Sequence, residues 1–498
     1  MEWLIGANAS FLSDLTWWQI SLFVLDYLIK FVAIGWVPEN RSPSASTAWL
    51  LVILLIPFLG LPLFLMLGSQ QITGRRHRVQ SIAHELIAER TAHLPNVPDS
   101  VSLSDDVVGT FTLSRLLTGM PAVTSIEKGI LTDFDDIVAR MVEVIDQATT
   151  TVHVQFYIFA LDERTEPLVA AIERAHRRGV TVKVLIDPIG SWKYRGYYKL
   201  KKRLNASEIP WHPMLPVSLL QLRWRRLDLR NHRKLVIVDS KIAFVGSQNM
   251  IEPGYQKQRN KPNRREWVDS WIELEGDVTL AFEAVFAVDW TSEIYDTPDP
   301  PSLHTLDQGA TPVGEENVVQ VLPSGPGFTT EPNLRVFNNM IYQARQRILI
   351  VSPYFVPDES LLMAITSAAH GGVDVQLFVN EKADQFMVGH AQQSYYQALL
   401  QAGVKIYRYP APMVLHSKFM VIDSEMAMFG SSNLDMRSFG LNYEITLLSG
   451  SGSIVDKLVA LAGDYRAKSS LLTQEEWNQR PFRQRYLDSV FRLTSALQ

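Results

Sequence analysis

Two stretches of this chain carry the same reactive side chains at the same intervals. The first, HRKLVIVDSKIAFVGSQN, begins at His232, and the second, HSKFMVIDSEMAMFGSSN, begins at His416. Position for position they share His232/His416, Lys234/Lys418, Asp239/Asp423, Ser240/Ser424, Gly246/Gly430, Ser247/Ser431 and Asn249/Asn433. Residues two apart on a β-strand project from one face, so each histidine is expected beside its lysine. That set suits phosphoryl transfer. A neutral imidazole can attack phosphorus and form a covalent phosphoramidate. A second, protonated imidazole can give its proton to the leaving oxygen and then act as base for the next nucleophile. The two rings need opposite protonation states, so their titration belongs to the pair. Lys234 and Lys418 bring point charges to phosphoryl oxygens, work that a metal would otherwise do. Asn249, Asn433, Ser247 and Ser431 fill the turn behind each strand as phosphate-binding and orienting groups. Each half also holds an acid further on, Asp269 in EWVDSWIELEG and Glu444 in LNYEITLLSG. Either acid can fix a histidine's tautomer through its second nitrogen. Asp239 and Asp423 complete the motif and are counted with the catalytic set, although their place at strand ends points to structural work. No cluster has metal-ligand spacing, and neither a metal nor a cofactor is expected.

A lone His-x-Lys-x4-Asp match arises by chance in a chain of this length on the order of a few per cent of the time. Two copies, each followed by the same Gly-Ser-x-Asn turn, point to an internal duplication. The surrounding elements repeat as well. Apolar residues at Phe134, Ile137, Val138, Met141, Val144 and Ile145 predict a helix, with Thr132 and Asp135 as candidate caps. A strand (TVHVQFYIF, from Thr151), a helix (Glu166 to Arg178) and a second strand (VTVKVLID) follow. The order returns as RILIVSPYF from Arg347, a helix from Glu359 to His370, and VDVQLFVN. Alternating strands and helices predict an α/β layer fold. The expected divisions are a first repeat over 125–295, a linker over 296–319, a second repeat over 320–465 and an amphipathic helical tail over 466–498. The linker region is rich in Pro, Gly, Asp and Thr.

With 498 residues, 47% of them apolar and 20% charged, the chain is a folded protein of two or three domains. It has no cysteine, which excludes disulfides and thiolate chemistry. The N-terminus is different in kind. Thr47 to Gly68 carries no charge, and Leu15 to Val37 carries only Asp26 and Lys30, spaced to pair on one helix face. Each is long enough to cross a bilayer, which takes ~20 residues. Tryptophans 17, 18, 36 and 49 stand near their ends, as interfacial anchors do. The expectation is a transmembrane helical hairpin over 1–72, then a connector over 73–124. A basic n-region and a small-residue cleavage site are lacking, which argues against a cleaved signal peptide. Arg75, Arg76 and Arg78 after the second span place the larger part on the cytoplasmic side.

These features resemble the phospholipase D superfamily, and within it the bacterial cardiolipin synthases. The likeness rests on the paired motifs, the apolar hairpin, FYIFALD, DPIGS, SPYFVPDESL, the Tyr395-Tyr396 pair, QAGVKIYRY and EEWNQRPF, and it runs over nearly the whole chain. It implies two duplicated phospholipase D-like α/β domains forming one site, behind a two-helix membrane hairpin. It implies transfer of a phosphatidyl group between two phosphatidylglycerols through a phosphohistidine, in the bacterial inner membrane. One departure is LNASEIP, from Leu204, where a glycine is expected. Lys193 to Arg265 holds eighteen basic and four acidic residues in a chain of net charge −5. That contrast predicts a face that docks on anionic lipid. A phospholipase D-type hydrolase or a headgroup-exchanging transferase is the alternative, since water or another alcohol can take the second step. A nucleic-acid enzyme fits the basic stretch but not the apolar N-terminus, and a scaffold with a dead site does not fit two intact motifs.

Overall fold

A computed structural model describes residues 16–39, 43–68, 74–98, 101–216, 228–257, 260, 265–294, 316–328, 330–493 and 495. The chain divides into two compact units, Met1–Gln70 and Gln71–Gln498.

In the first unit, α1 (Trp17–Trp36) is a 20-residue helix of mean hydropathy 1.5. Only 6% of its most apolar 18-residue window is buried within the protein, and by length and composition it can cross a membrane. Asp26 and Lys30 form the expected ion pair, at 2.8 Å. The second apolar segment departs from expectation. It is not one helix but two, α2 (Pro43–Leu55) and α3 (Pro57–Leu67). The break falls at Ile56, whose φ of −138° and ψ of 71° are not helical. Pro57 is the cause, because a proline ring disfavours helical geometry in the residue before it. At 1.5 Å per residue, α2 and α3 each extend less than the ~30 Å of a bilayer core. Trp36 and Trp49 pack edge-on against Phe64, at 5.7 and 5.6 Å.

The second unit is built on one sheet, of 16 strands among the described residues: fifteen follow one another across it, and the short Arg230–Asn231 pairs off this path. The first half contributes β1 (Ala122–Leu131), β2 (Thr151–Phe156), β3 (Thr181–Ile186), β4 (Trp211–Pro213), β5 (Leu235–Val238), β6 (Ile242–Gly246) and β7 (Trp271–Glu275). The second contributes β8 (Glu316–Ser324), β9 (Arg347–Val351), β10 (Asp374–Asn380), β11 (Lys405–Tyr409), β12 (Phe419–Ile422), β13 (Met426–Gly430), β14 (Asn442–Gly450) and β15 (Ser470–Leu472). From the centre outward one side runs β1-β7-β6-β5-β2-β3-β4 and the other β8-β14-β13-β12-β9-β10-β11, with β15 at the edge. The halves meet where β1 and β8 pair antiparallel, Ala122 opposite Gln320 and Ile126 opposite Glu316. An antiparallel pair relates its two strands by a local two-fold. The pseudo-symmetry therefore places the motif strands β5 and β12 at equivalent positions, each fourth from the centre.

Helices cover both faces. The chain reaches α4 (Arg75–Arg90) just after the apolar unit, and then α5 (Phe134–Asp146) and α6 (Glu166–Arg177). The six apolar residues read from the periodicity are the buried residues of α5. They pack with Val236, Val238 and Phe244, each such side chain contributing roughly 1.5–3 kcal/mol by leaving water. Its cap is Asp133, which accepts from the amides of Asp135 and Asp136, rather than Thr132 or Asp135. On the other face Leu235 and Ile237 share a core with α7 (Val278–Glu293), and Phe419 and Val421 with α10 (Ser453–Lys468), while α8 (Glu359–His370) and α9 (Phe386–Gln401) serve the second half's outer face. The tail forms α11 (Phe482–Arg492), where Asp488 binds His390 of α9 at 2.7 Å. Most of the stretch 296–319 lies outside the described residues, and its last part opens β8 at Glu316.

Candidate active site

Each motif histidine is delivered by a short cross-link between halves. Arg230–Asn231 pairs in parallel with Asn442–Tyr443, and the His232 amide donates to the Tyr443 carbonyl at 2.9 Å. Val414–Leu415 pairs in the same way with Trp267–Val268, and the His416 amide donates to the Val268 carbonyl at 2.7 Å. The residue after each receiving carbonyl is an acid. His232 Nδ1 lies 3.0 Å from both carboxylate oxygens of Glu444 and 3.1 Å from the Ser431 carbonyl. His416 Nδ1 lies 2.6 Å from Asp269 Oδ1. Each half therefore orients the other half's histidine. A carboxylate at Nδ1 holds the proton there and leaves Nε2 as the reactive nitrogen. Ser247 donates to Asp269 Oδ1 at 2.6 Å and Ser431 to Glu444 Oε2 at 2.5 Å. Each serine thus bonds to the orienting acid of its own half.

All four basic motif residues are buried. Lys234 and Lys418 each donate to the carbonyl of their own histidine, at 2.5 Å. Burial lowers both ammonium groups, Lys418 to about 8. Burial, then the charges of Lys234 and Lys418, hold His232 well below the ordinary imidazole value. Burial also lowers His416, but Asp269 opposes it. The two acids diverge as well. Burial pushes Glu444 up to about 7. Burial pushes Asp269 upward too, yet His416, Lys418 and the Ser247 hydroxyl outweigh it and leave this carboxyl below its usual range. Asn249 donates to the Tyr255 hydroxyl at 2.8 Å. The Asn433 amide nitrogen of the backbone donates to Ser438 at 3.1 Å, while its buried side-chain oxygen has no partner among the described residues.

Asp239 and Asp423 do not belong with the reacting groups. They sit beyond the far ends of β5 and β12, at left-handed turn positions of φ 53° and 51°. Asp239 accepts from the amides of Thr149, Thr150 and Thr151, and Asp423 from those of Arg345, Gln346 and Arg347. A carboxylate that gathers three amides pins a loop. Other positions gain a role that the motif did not reveal. Tyr157 stands edge-on to His232 at 5.0 Å and Tyr354 to His416 at 6.4 Å. Asp187 accepts from the Asn231 amide at 2.9 Å, and Asn380 accepts from the Leu415 amide at 2.7 Å. The repeat was the available signal for these, since each arises near the carboxyl end of an equivalent strand.

The basic stretch is only partly a surface. Arg230, Arg233 and Lys234 are buried, and Arg203 is tied to Glu166 and Glu173. Lys193, Arg195, Lys199 and Lys202 are exposed, and Arg225, Arg226 and Arg264 lie outside the described residues.

Comparison with known proteins agrees with this architecture. Residues 141–267 and 337–462 each match the family described as "Cardiolipin synthase, PLD-like domain", and 27–69 match a phospholipase D-nuclease N-terminal family. The chain is 32% identical to cardiolipin synthase A of Pectobacterium atrosepticum, over 98% of this chain and 100% of that one. It is 32% identical to cardiolipin synthase A of Yersinia pseudotuberculosis, over 98% and 99%. A phosphatidylserine synthase structure from Haemophilus influenzae shares the fold at a TM-score of 0.56 and 15% identity, over 78% of this chain and 99% of that one. Matched along its whole length and in both repeats, the chain belongs to the cardiolipin synthase family of phospholipase D-like phosphatidyltransferases.

Proposed function

We propose that His232 and His416 transfer a phosphatidyl group from one phosphatidylglycerol to another, giving cardiolipin and glycerol. Family membership supports the reaction class. The observation that carries the mechanism is the exchange of orienting acids, which presents two imidazole Nε2 atoms from opposite halves. His232 is the nucleophile, because its surroundings keep it neutral. His416 is also lowered by burial, but less than His232 because the Asp269 carboxylate opposes it, so it is the more basic ring and the one assigned the proton. In the first step His232 Nε2 bonds to phosphorus, the bond from phosphorus to the glycerol oxygen breaks, and His416 protonates that oxygen. In the second, His416 takes the proton from a hydroxyl of the next phosphatidylglycerol. Its oxygen bonds to phosphorus, and the phosphorus–nitrogen bond breaks. Lys234, Lys418, Asn249 and Asn433 stabilise the phosphoryl oxygens.

Membranes carrying the protein and labelled phosphatidylglycerol test this. Cardiolipin and glycerol are expected, and phosphatidic acid in their place refutes the transfer step. His232→Ala and His416→Ala should each abolish turnover, and full activity in either ends the paired mechanism. A phospho-adduct trapped by acid quench should map to His232.

We infer that the enzyme is an integral protein of the bacterial inner membrane, with α1 spanning it and the large unit on the cytoplasmic side. The exposed charges of Lys199 and Lys202 support docking on anionic lipid. A reporter fused at Gln498 should behave as cytoplasmic. Lys199→Glu with Lys202→Glu should lower turnover on anionic vesicles at low salt, and unchanged turnover counts against the docking face.

A further inference from the structure

Arg76 was read from the sequence as part of a basic membrane flank, but α4 turns it inward, where it is 2% exposed. Its guanidinium binds two buried carboxylates of α7, Asp289 and Glu293, each at 2.6 Å. It also lies 4.2 Å from the centre of the Tyr443 ring. The second oxygen of Asp289 accepts from Arg233 at 2.5 Å and from Gln155 at 2.7 Å. Arg233 then donates through Nε to the Glu444 carbonyl at 3.0 Å. Arg233 stands between His232 and Lys234, and Tyr443 precedes Glu444 and receives the His232 amide. The network thus grips the backbone beside His232 and beside its orienting acid, while Arg76 touches neither reacting side chain. Among the described residues, Arg76 and Arg233 both bind Asp289. Without Arg76, Asp289 keeps Arg233 as its guanidinium partner and pulls on it alone, and Arg233 lies on the segment that spaces His232 from Lys234. The second half does this without charge: Ser417 stands where Arg233 does and shares a hydrogen bond with the Tyr465 hydroxyl at 2.8 Å.

We propose that Arg76 is a positioning residue for phosphatidyl transfer. Through Asp289, Arg233 and Tyr443 it sets the alignment of His232 with Glu444 and Lys234. The inference rests on the roles given above to His232 and Glu444. A misplacement of about 1 Å at a reacting group costs on the order of a hundredfold in rate. Because Arg76 lies beneath the site rather than in it, the loss should fall on kcat and leave KM nearly unchanged.

The test uses the full-length protein in phosphatidylglycerol vesicles. Arg76→Ala is compared with Arg76→Lys and with Arg76→Met/Glu293→Gln, a balanced change that removes one charge of each sign should Arg76→Ala fail to fold. Arg76→Ala and the balanced variant should each lose about fiftyfold or more in kcat, with KM within about twofold. The rate of phospho-adduct formation at His232 should fall in parallel. Arg76→Lys should recover part of the rate, since an ammonium reaches one carboxylate well but lacks the fork that holds two. Retention of kcat within about threefold in a folded variant overturns the proposal, and so does a loss that follows only the unfolded fraction. His232→Ala in the same assay separates the two readings. If it is inactive while the Arg76 variants turn over normally, only the positioning role fails. If it is active, the histidine assignment fails first.

Discussion

In the first half, the residue ahead of the reactive histidine is held by charge. Asp187 accepts from the Asn231 amide and pairs with Arg230 at 3.2 Å. In the second half the same place is held by a neutral amide, Asn380, which makes bonds of 2.7 and 3.1 Å with Leu415. The contrast continues beneath the strand, where Arg233 and Asp289 are replaced by Ser417 and Tyr465. The His, Lys and Asn of the motif are the same in both halves, and the groups that support them have diverged. The two-step transfer proposed above would account for the difference. In that proposal the two imidazoles must differ in protonation, and identical supports would make them equal. The divergence of the supports supplies the inequality that the duplicated motif cannot.

The strongest way to break this comparison is to alter both orienting acids alike. Asp269→Asn should cost about a thousandfold or more in kcat, because Asp269 is the side chain that holds His416 Nδ1 and an amide there admits the wrong tautomer. Glu444→Gln should cost only about tenfold to a hundredfold, since the Ser431 carbonyl still accepts from His232 Nδ1. Equal losses would show that the halves work as true copies.

A pH series sharpens the same point. Glu444 sits near 7, so it takes up a proton as the pH falls through neutrality and holds His232 less well. The wild type should show an acid limb near pH 7 in kcat/KM, kept in Asp269→Asn and lost in Glu444→Gln. Stability has the matching sign. The folded state holds this proton more tightly than the unfolded chain does. Its contribution is therefore full below the ordinary 4.5 and is lost as the pH rises to about 7. Thermal unfolding of Glu444→Gln should lack that slope.

Asp239→Asn and Asp423→Asn address the loops. Each should lower stability by about 2 kcal/mol, from weakened hydrogen bonds to a charged group, with kcat per folded molecule unchanged. A large loss of kcat would return these residues to the catalytic set. The smallest effect is local. Gly403 takes a φ of 94° at the end of its helix, and the matching turn places Glu208 at 52°. A side chain in that region is strained, so Glu208→Gly should raise stability by up to about 1 kcal/mol, read as a higher Tm.

Much of the architecture is legible in one dimension because its causes are local. The apolar stripe of α5 follows from a 3.6-residue period, and its burial needs only something to pack against. The split of the second apolar segment is also local, carried by Pro57, yet its lack of charge suggested one continuous span. The cap of α5 moved by one or two positions because several neighbouring polar residues compete for the same amides. The departure at LNASEIP was visible as a missing glycine, and the left-handed Glu208 is its structural form.

The duplicated motif by itself pointed to phosphoryl transfer, since His, Lys and Asn at repeated strand spacing suit that chemistry in any arrangement that unites them. The sequence also offered Asp269 and Glu444 as candidate orienting acids. It did not decide which acid serves which histidine, because the partners stand 147 and 212 residues apart and are joined through the pseudo-two-fold at β1 and β8. Nor did it separate Arg76 from the basic residues around it. Charge is a property of the residue, but whether that charge meets water, lipid or a buried carboxylate depends on which surfaces the folded chain brings together.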